Sequence, residues 1–242
     1  MPTKGSDVRI FVDEFDFSGS SSSVEISAAV GVLDYPVLNS ATEVTEPGTS
    51  MASISHNGYM TGAAAGSLEP EMYDRLGTGD ADVSVILGVS ATIPIGYVVA
   101  DTYADSLNVN MPVKELITIT GKWAASDVFR RGVALPLTAV TATGAQTGYD
   151  STATGADGGF AVLHITSITG TATSATVTVQ GAAASNFAAP STLATLTFSA
   201  VGSQQATWSG ATGRYLRFNV TSLGGATGFS IAGVICSTGV TG

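Results

Sequence analysis

The sequence predicts a mainly β protein with one short packed helix, and three observations lead there. Runs such as DVSVIL, LITIT and YLRFNV alternate at the two-residue period of a half-buried strand. Only LEPEMYDRLG places apolar side chains every four residues, the spacing of a helix face. Between the runs lie clusters of Gly, Ser, Thr, Asn and Pro, the residues that make turns.

In chain order, residues 7–17 read as a first strand and residues 24–32 as a second, joined by the polar SGSSSS turn. The stretch LDYPVLNSATEVTEPGTS follows, with Pro36, Pro47 and Gly48 and no helical period. A polar excursion this long inside a compact domain is a functional arm or a surface loop. Asn57-Gly58 signals a turn, which makes His56 a solvated loop histidine. The helix should span residues 68–76, with Leu68, Met72 and Leu76 on one face and Tyr73 beside them. Ser67 can cap its start and Gly77 its end, and Pro70 falls in the first turn, where N–H groups lack helical partners. Strands at 82–88, 95–100 and 116–123 come next.

Beyond these the chain is strands only, at 159–168, 174–180, 193–198, 214–220 and 229–236. That spacing fits a β-sandwich of jelly-roll or immunoglobulin-like type. In the fourth of them Leu216, Phe218 and Val220 should face the core, and Tyr215, Arg217 and Asn219 should face outward.

At 242 residues and 44% apolar composition, the chain suits one large or two ordinary domains. Of nine Lys and Arg, seven precede Ala134 and share that stretch with 17 of the 19 carboxylates, so it carries the whole net charge of −10. After it Arg214 and Arg217 balance Asp150 and Asp157. The shift places a domain boundary in RRGVALP and divides the chain into 1–133 and 134–242. The acidic half argues against nucleic-acid binding, which needs clustered cations to displace phosphate counterions.

A single cysteine allows no intrachain disulfide, and Cys236 in SIAGVIC reads as a small buried hydrophobe. Lys4, Asp7, Arg9, Asp13 and Glu14 interrupt any apolar leader. Residues 83–100 are uncharged, but Gly88, Ser90, Pro94 and Gly96 break them, so no membrane span is expected.

No nucleophile elbow, phosphate-cradling loop or metal quartet is visible, so neither an enzyme nor a cofactor is expected. His56 and His164 have no cysteine near them, and the Asp80 to Asp82 pair lacks the other ligands of a calcium loop, so no metal is expected either. Trp208, Tyr215 and Arg217 are candidates for a surface glycan contact, set against plain packing of the two rings.

The order of the segments TEVTEPGTSMASISHNGYMTG, LEPEMYDRLG, ADVSVILG and ELITITGKW resembles that of the major tail proteins, or tail tube proteins, of long-tailed bacteriophages, over residues 5–133. The remainder, with RYLRFNVTS, is similar to the galactose-binding-like or immunoglobulin-like decoration domains appended to such proteins. The resemblance implies a tail-tube-type β-sandwich or barrel in 1–133 and a second β-sandwich in 134–242. It implies a structural virion protein, made in the host cytoplasm, whose hexameric rings stack into a hollow tube through which DNA passes. A tape measure protein and the tail terminator and tail tip proteins are its implied partners. Inter-ring contact would fall on the loop 36–50, at Pro36, Asn39, Glu43, Thr45, Glu46, Pro47 and Thr49.

Head-to-tail stacking is a heterologous contact that does not close, so it propagates as a filament. A basic lumen would hold passing phosphates, so acids suit the channel wall, with Glu25, Asp80 and Asp82 as candidates. Two other classes fit the same β-domains: a virion decoration or minor tail protein that does not polymerise, and a carbohydrate-binding adhesin acting through 134–242.

Overall fold

A computed structural model describes residues 7–35, 44–62, 66–125, 128–152, 154–155 and 157–237. It is mainly β. The first strands are β1 (Val8–Val12), β2 (Phe15–Asp16), β3 (Ser21–Tyr35) and β4 (Val44–Tyr59), followed by the helix α1 (Leu68–Asp74). Then come β5 (Ala81–Leu87), β6 (Ile95–Asn110), β7 (Thr118–Ala124), β8 (Val128–Val140), β9 (Gly144–Ala145) and β10 (Tyr149–Asp150). The chain closes with β11 (Gly159–Gly170), β12 (Ala175–Ala182), β13 (Ser191–Phe198), β14 (Gly202–Trp208), β15 (Tyr215–Ser222) and β16 (Ala226–Ser237).

Contacts group these elements into two units, one of residues 1–19, 81–100 and 129–242 and one of residues 20–80 and 101–128. This differs from the division 1–133 and 134–242 that the charge shift suggests. Residue 133 lies inside β8, which pairs with β16 from Val133 through Val140. The charge changes where a strand crosses the sheet, and a charge count records surface composition rather than strand pairing. Pro136 helped to hide β8. It sits where the β8–β16 register shifts, between the pairs Thr138–Ile231 and Leu135–Gly233, a position at which a missing N–H costs no regular ladder bond.

In the first unit, one sheet runs in the order β14-β11-β16-β8-β6-β5-β1-β2, and a second runs β10-β15-β12-β13 with β9 on β15. The core joins them. Leu163, Ile165 and Ile231 from one sheet pack in a single cluster with Val177, Val179, Leu216 and Phe218 from the other. Phe198 meets Phe229 edge to face at 5.1 Å. On β15 Leu216, Phe218 and Val220 are buried and Tyr215, Arg217 and Asn219 half-buried, as alternation requires.

The expected strand over residues 7–17 is two strands of a tight hairpin. Asp13 breaks it at φ +47, in the left-handed region that Asp tolerates better than most residues. The break is held by hydrogen bonds to the Asp13 carboxylate from the Asp82 N–H and the Ser203 hydroxyl, both at 2.9 Å.

In the second unit β4 pairs with β3 on one side and β7 on the other, and residues 103–110 of β6 pair with β7. Asn57-Gly58 is not a turn. Both residues lie within β4, with Gly58 opposite Ser21 and Ile119. Glycine is required there by close approach, because a Cβ would stand 2.6 Å from the Ser20 carbonyl oxygen and 2.8 Å from Leu68 Cδ2.

Candidate assembly surface

The helix anchors the second unit. Leu68 and Met72 are fully buried, and Met72 lies across Gly121 of β7 so closely that no Cβ fits there. The helix ends two residues earlier than its spacing suggests: Arg75 is the C-cap, and Leu76 and Tyr73 are exposed. Leu76 instead forms a parallel bridge to Ala104 of β6, flanked by bonds from the Gly77 N–H to the Ala104 carbonyl and from the Ala104 N–H to the Arg75 carbonyl. The Ser67 side chain does not cap the helix; Glu71 Oε1 accepts the Gly66 N–H at 3.0 Å instead. Helix and sheet form the base from which two ends extend.

One end is the ribbon of β3 and β4. β7 pairs with β4 from Ser53 to Tyr59 and the Ala125 N–H bonds the Ala52 carbonyl, so among the described strands residues 44–51 of β4 have β3 as their one neighbour. Among the described strands β3, of 15 residues, pairs with β4 alone. At about 3.3 Å per residue it reaches roughly 50 Å. It contains no Pro, Lys or Arg, and Ser27, Ala28, Ala29 and Val30 are all exposed. Val30 is 54% exposed, and Met51, which pairs with Ala29, is 64% exposed.

The other end is the turn between β6 and β7. Tyr59 pairs with Thr118, and the Met60 N–H bonds the Ile117 carbonyl at 3.0 Å, so this turn lies at the end of the sheet opposite the ribbon. Met111, Val113 and Leu116 are 69%, 88% and 69% exposed there. Sequence reading missed this feature because LITIT suggested a strand beginning at Leu116; β7 begins at Thr118 and leaves Leu116 in the turn.

The residues expected to form an inter-ring loop are split. Pro36, Asn39 and Glu43 lie outside the described residues. Thr45, Glu46, Pro47 and Thr49 are in β4, with Thr45 opposite Asp34, Glu46 opposite Leu33 and Pro47 opposite Val32. The segment from 44 to 50 is strand rather than loop, and Pro47 is accommodated next to a register shift between Val30 and Val32. Of the three candidate lumen acids, Glu25 is exposed on β3, and Asp80 is exposed with Arg75 Nη1 3.7 Å from its carboxylate. Asp82 is 2% exposed and accepts a 2.7 Å hydrogen bond from Gln205 Nε2, so it faces the interior of its unit and no channel.

Trp208, Tyr215 and Arg217 do not form one contact. Trp208 belongs to β14, in the first sheet of its unit, and packs over Gly159 against the core cluster. Tyr215 and Arg217 share the outer side of β15 in the second sheet. Arg214 lies 5.6 Å from the Tyr215 ring centroid, and Arg217 lies 4.0 Å from that of Phe187 while its Nε donates to Gln180 Oε1 at 2.9 Å. Burial pushes the Arg217 guanidinium below its ordinary value.

Both histidines are buried, contrary to the reading of His56 as a solvated loop residue: it lies in β4 between two paired strands. His164 Nδ1 donates to the Asp13 carbonyl at 2.8 Å, which leaves Nε2 to accept from the Ser84 hydroxyl at 2.7 Å. Burial lowers the pKa of each imidazole to about 4. Cys236 is buried as well, its thiol pushed up to about 12 by desolvation. Among the described residues, no group of three His, Cys, Asp or Glu could hold a metal ion, and no helix is long and apolar enough to cross a membrane.

No protein-family model matches the chain, and no curated protein matches it. Among solved structures, the chain is similar to one from the PVC sheath-tube complex of an extracellular contractile injection system in its extended state, with 12% identity, a TM-score of 0.42 and coverage of 55% of this chain and 92% of that one. It is similar to a chain from the virion of a native gene transfer agent particle, with 15% identity, a TM-score of 0.38 and coverage of 53% and 97%. It is also similar to a chain of the SPP1 tail tube, with 13% identity, a TM-score of 0.38 and coverage of 51% and 75%.

Proposed function

We propose that this chain is a structural virion protein whose copies join side by side into rings, hexameric in the reading taken from the resemblance, and stack into the hollow tail tube through which DNA passes. The observation that carries the proposal is the edge of β3, which among the described residues pairs with β4 alone. A long edge strand without Pro or Lys is a template on which another chain can pair. A two-stranded ribbon is marginal alone in water, so the part of β3 and β4 beyond β7 also calls for a partner.

Apolar groups at the two opposite ends of the same sheet favour copies joined end to end, a contact that propagates rather than closes. The acidic surplus before Ala134 would keep a channel wall from trapping phosphates, with Glu25 and Asp80 as the exposed candidates. In this reading a tape measure protein fills the tube before DNA does, and terminator and tip proteins close its ends.

The edge can be tested directly. Ser27→Lys with Ala29→Lys adds two charges at exposed positions of β3, the device by which natural edge strands block pairing. The double variant should keep the melting temperature of the unaltered protein and sediment as a monomer at concentrations where the unaltered protein forms rings or tubes. Equal assembly by both proteins would show that β3 is not the joining edge.

A further inference from the structure

We infer that a cleft within the first unit binds a small aliphatic carboxylate, a role separate from assembly. The cleft has a volume of about 220 Å³ and lies between β10 of the second sheet and β6, β8 and β16 of the first. Its floor is aliphatic: Ile95, Val133 and Ile235 line it, and the last two belong to the core cluster. An apolar hollow edged by a few polar groups is the usual form of a small-molecule site. Since a cavity of about 150 Å³ admits benzene, this one has room for roughly eight non-hydrogen atoms.

Arg131 assigns the head of the ligand. Strand alternation puts it on the same face of β8 as Val133, so a cation stands on the core side of the sandwich. The Tyr97 ring, itself stacked on Phe129, has its centroid 6.0 Å from the guanidinium carbon and restricts where that group can swing. Among the described residues Arg131 has no ion-pair partner. Asp150 also lines the cleft, but it is committed to Arg214, whose Nε and Nη2 donate to its two oxygens at 2.8 and 2.7 Å. Those bonds hold the Asp150 carboxyl below the usual carboxylate range.

The cleft therefore sets one uncompensated guanidinium over an aliphatic floor. A guanidinium takes a carboxylate through two parallel hydrogen bonds. An inorganic anion would satisfy Arg131 and leave the floor wet; a short carbon body covers it. Thr152, on the rim, is held at φ +67 by its N–H bond to Asp150 Oδ1 at 2.8 Å. That conformation is strained for a β-branched residue, and such strain gathers at ligand sites.

Equilibrium dialysis of the full chain against labelled 4-methylpentanoate tests the inference, on monomers and assemblies alike, so its outcome is independent of the proposed tube. Saturable binding of one molecule per chain is expected. Acetate, which lacks the body, and 4-methylpentanamide, which lacks the charge, should each bind about tenfold more weakly or worse. Arg131→Gln should weaken 4-methylpentanoate by a similar factor at an unchanged melting temperature, because the side chain is exposed. No saturable binding, equal binding of acid and amide, or full affinity in Arg131→Gln would each overturn the inference.

Discussion

Met72→Asp leaves the second unit unfolded and the protein insoluble or aggregated. Met72 is fully buried, and its thioether rests on Gly121 where no Cβ fits, so a carboxylate at that position is shut off from water. Burying an unpaired charge costs several kcal/mol, a large share of the ~5–15 kcal/mol that holds a whole domain. Met72→Leu conserves volume and should cost under about 1.5 kcal/mol. Thermal unfolding of the two variants side by side separates loss of packing from loss of solubility. Soluble Met72→Asp with an unchanged melting temperature would mean that the helix does not hold the sheet.

Acid should destabilise both units through their histidines. His56 and His164 titrate at about 4 in the folded chain against an ordinary 6.5, so between those values the unfolded chain binds protons that the folded chain does not. Stability is therefore complete above about pH 6.5 and is lost as the pH falls toward 4. Each imidazole contributes about 3 kcal/mol over that window. Denaturant unfolding at pH 7 and pH 4.5 should show the loss, and the Cε1 proton resonances of both rings should titrate near 4. Midpoints near 6.5 would place the rings in solvent.

The sequence shows each strand's own pattern but not its neighbours. β7 and β15 each have one buried face, and their alternation is plain in TITGKWA and YLRFNVTS. β5 is buried on both faces, and its polar residues read as solvent-facing. Asp82 and Ser84 are instead satisfied by Gln205 and His164, partners 123 and 80 residues away that no local pattern reveals.

Proline and glycine misled for a related reason. Pro47 and Pro136 look like strand breakers, yet each sits at or beside a register shift inside a long strand. Gly58 looks like a turn residue, yet it makes room for Leu68 and the Ser20 carbonyl. The helix was legible because Leu68 and Met72 keep its period; Leu76 prolonged that period past the point where the chain leaves the helix for a bridge to β6. That β3 has one neighbour among the described strands could not be read at all, since pairing is set by other segments and not by the strand's own residues.

Electron microscopy of the concentrated, purified protein tests self-assembly most directly. Tubes with a continuous central channel, built from stacked rings of identical subunits, are the predicted result. Monomers at every concentration tested, or filaments without a channel, would contradict it.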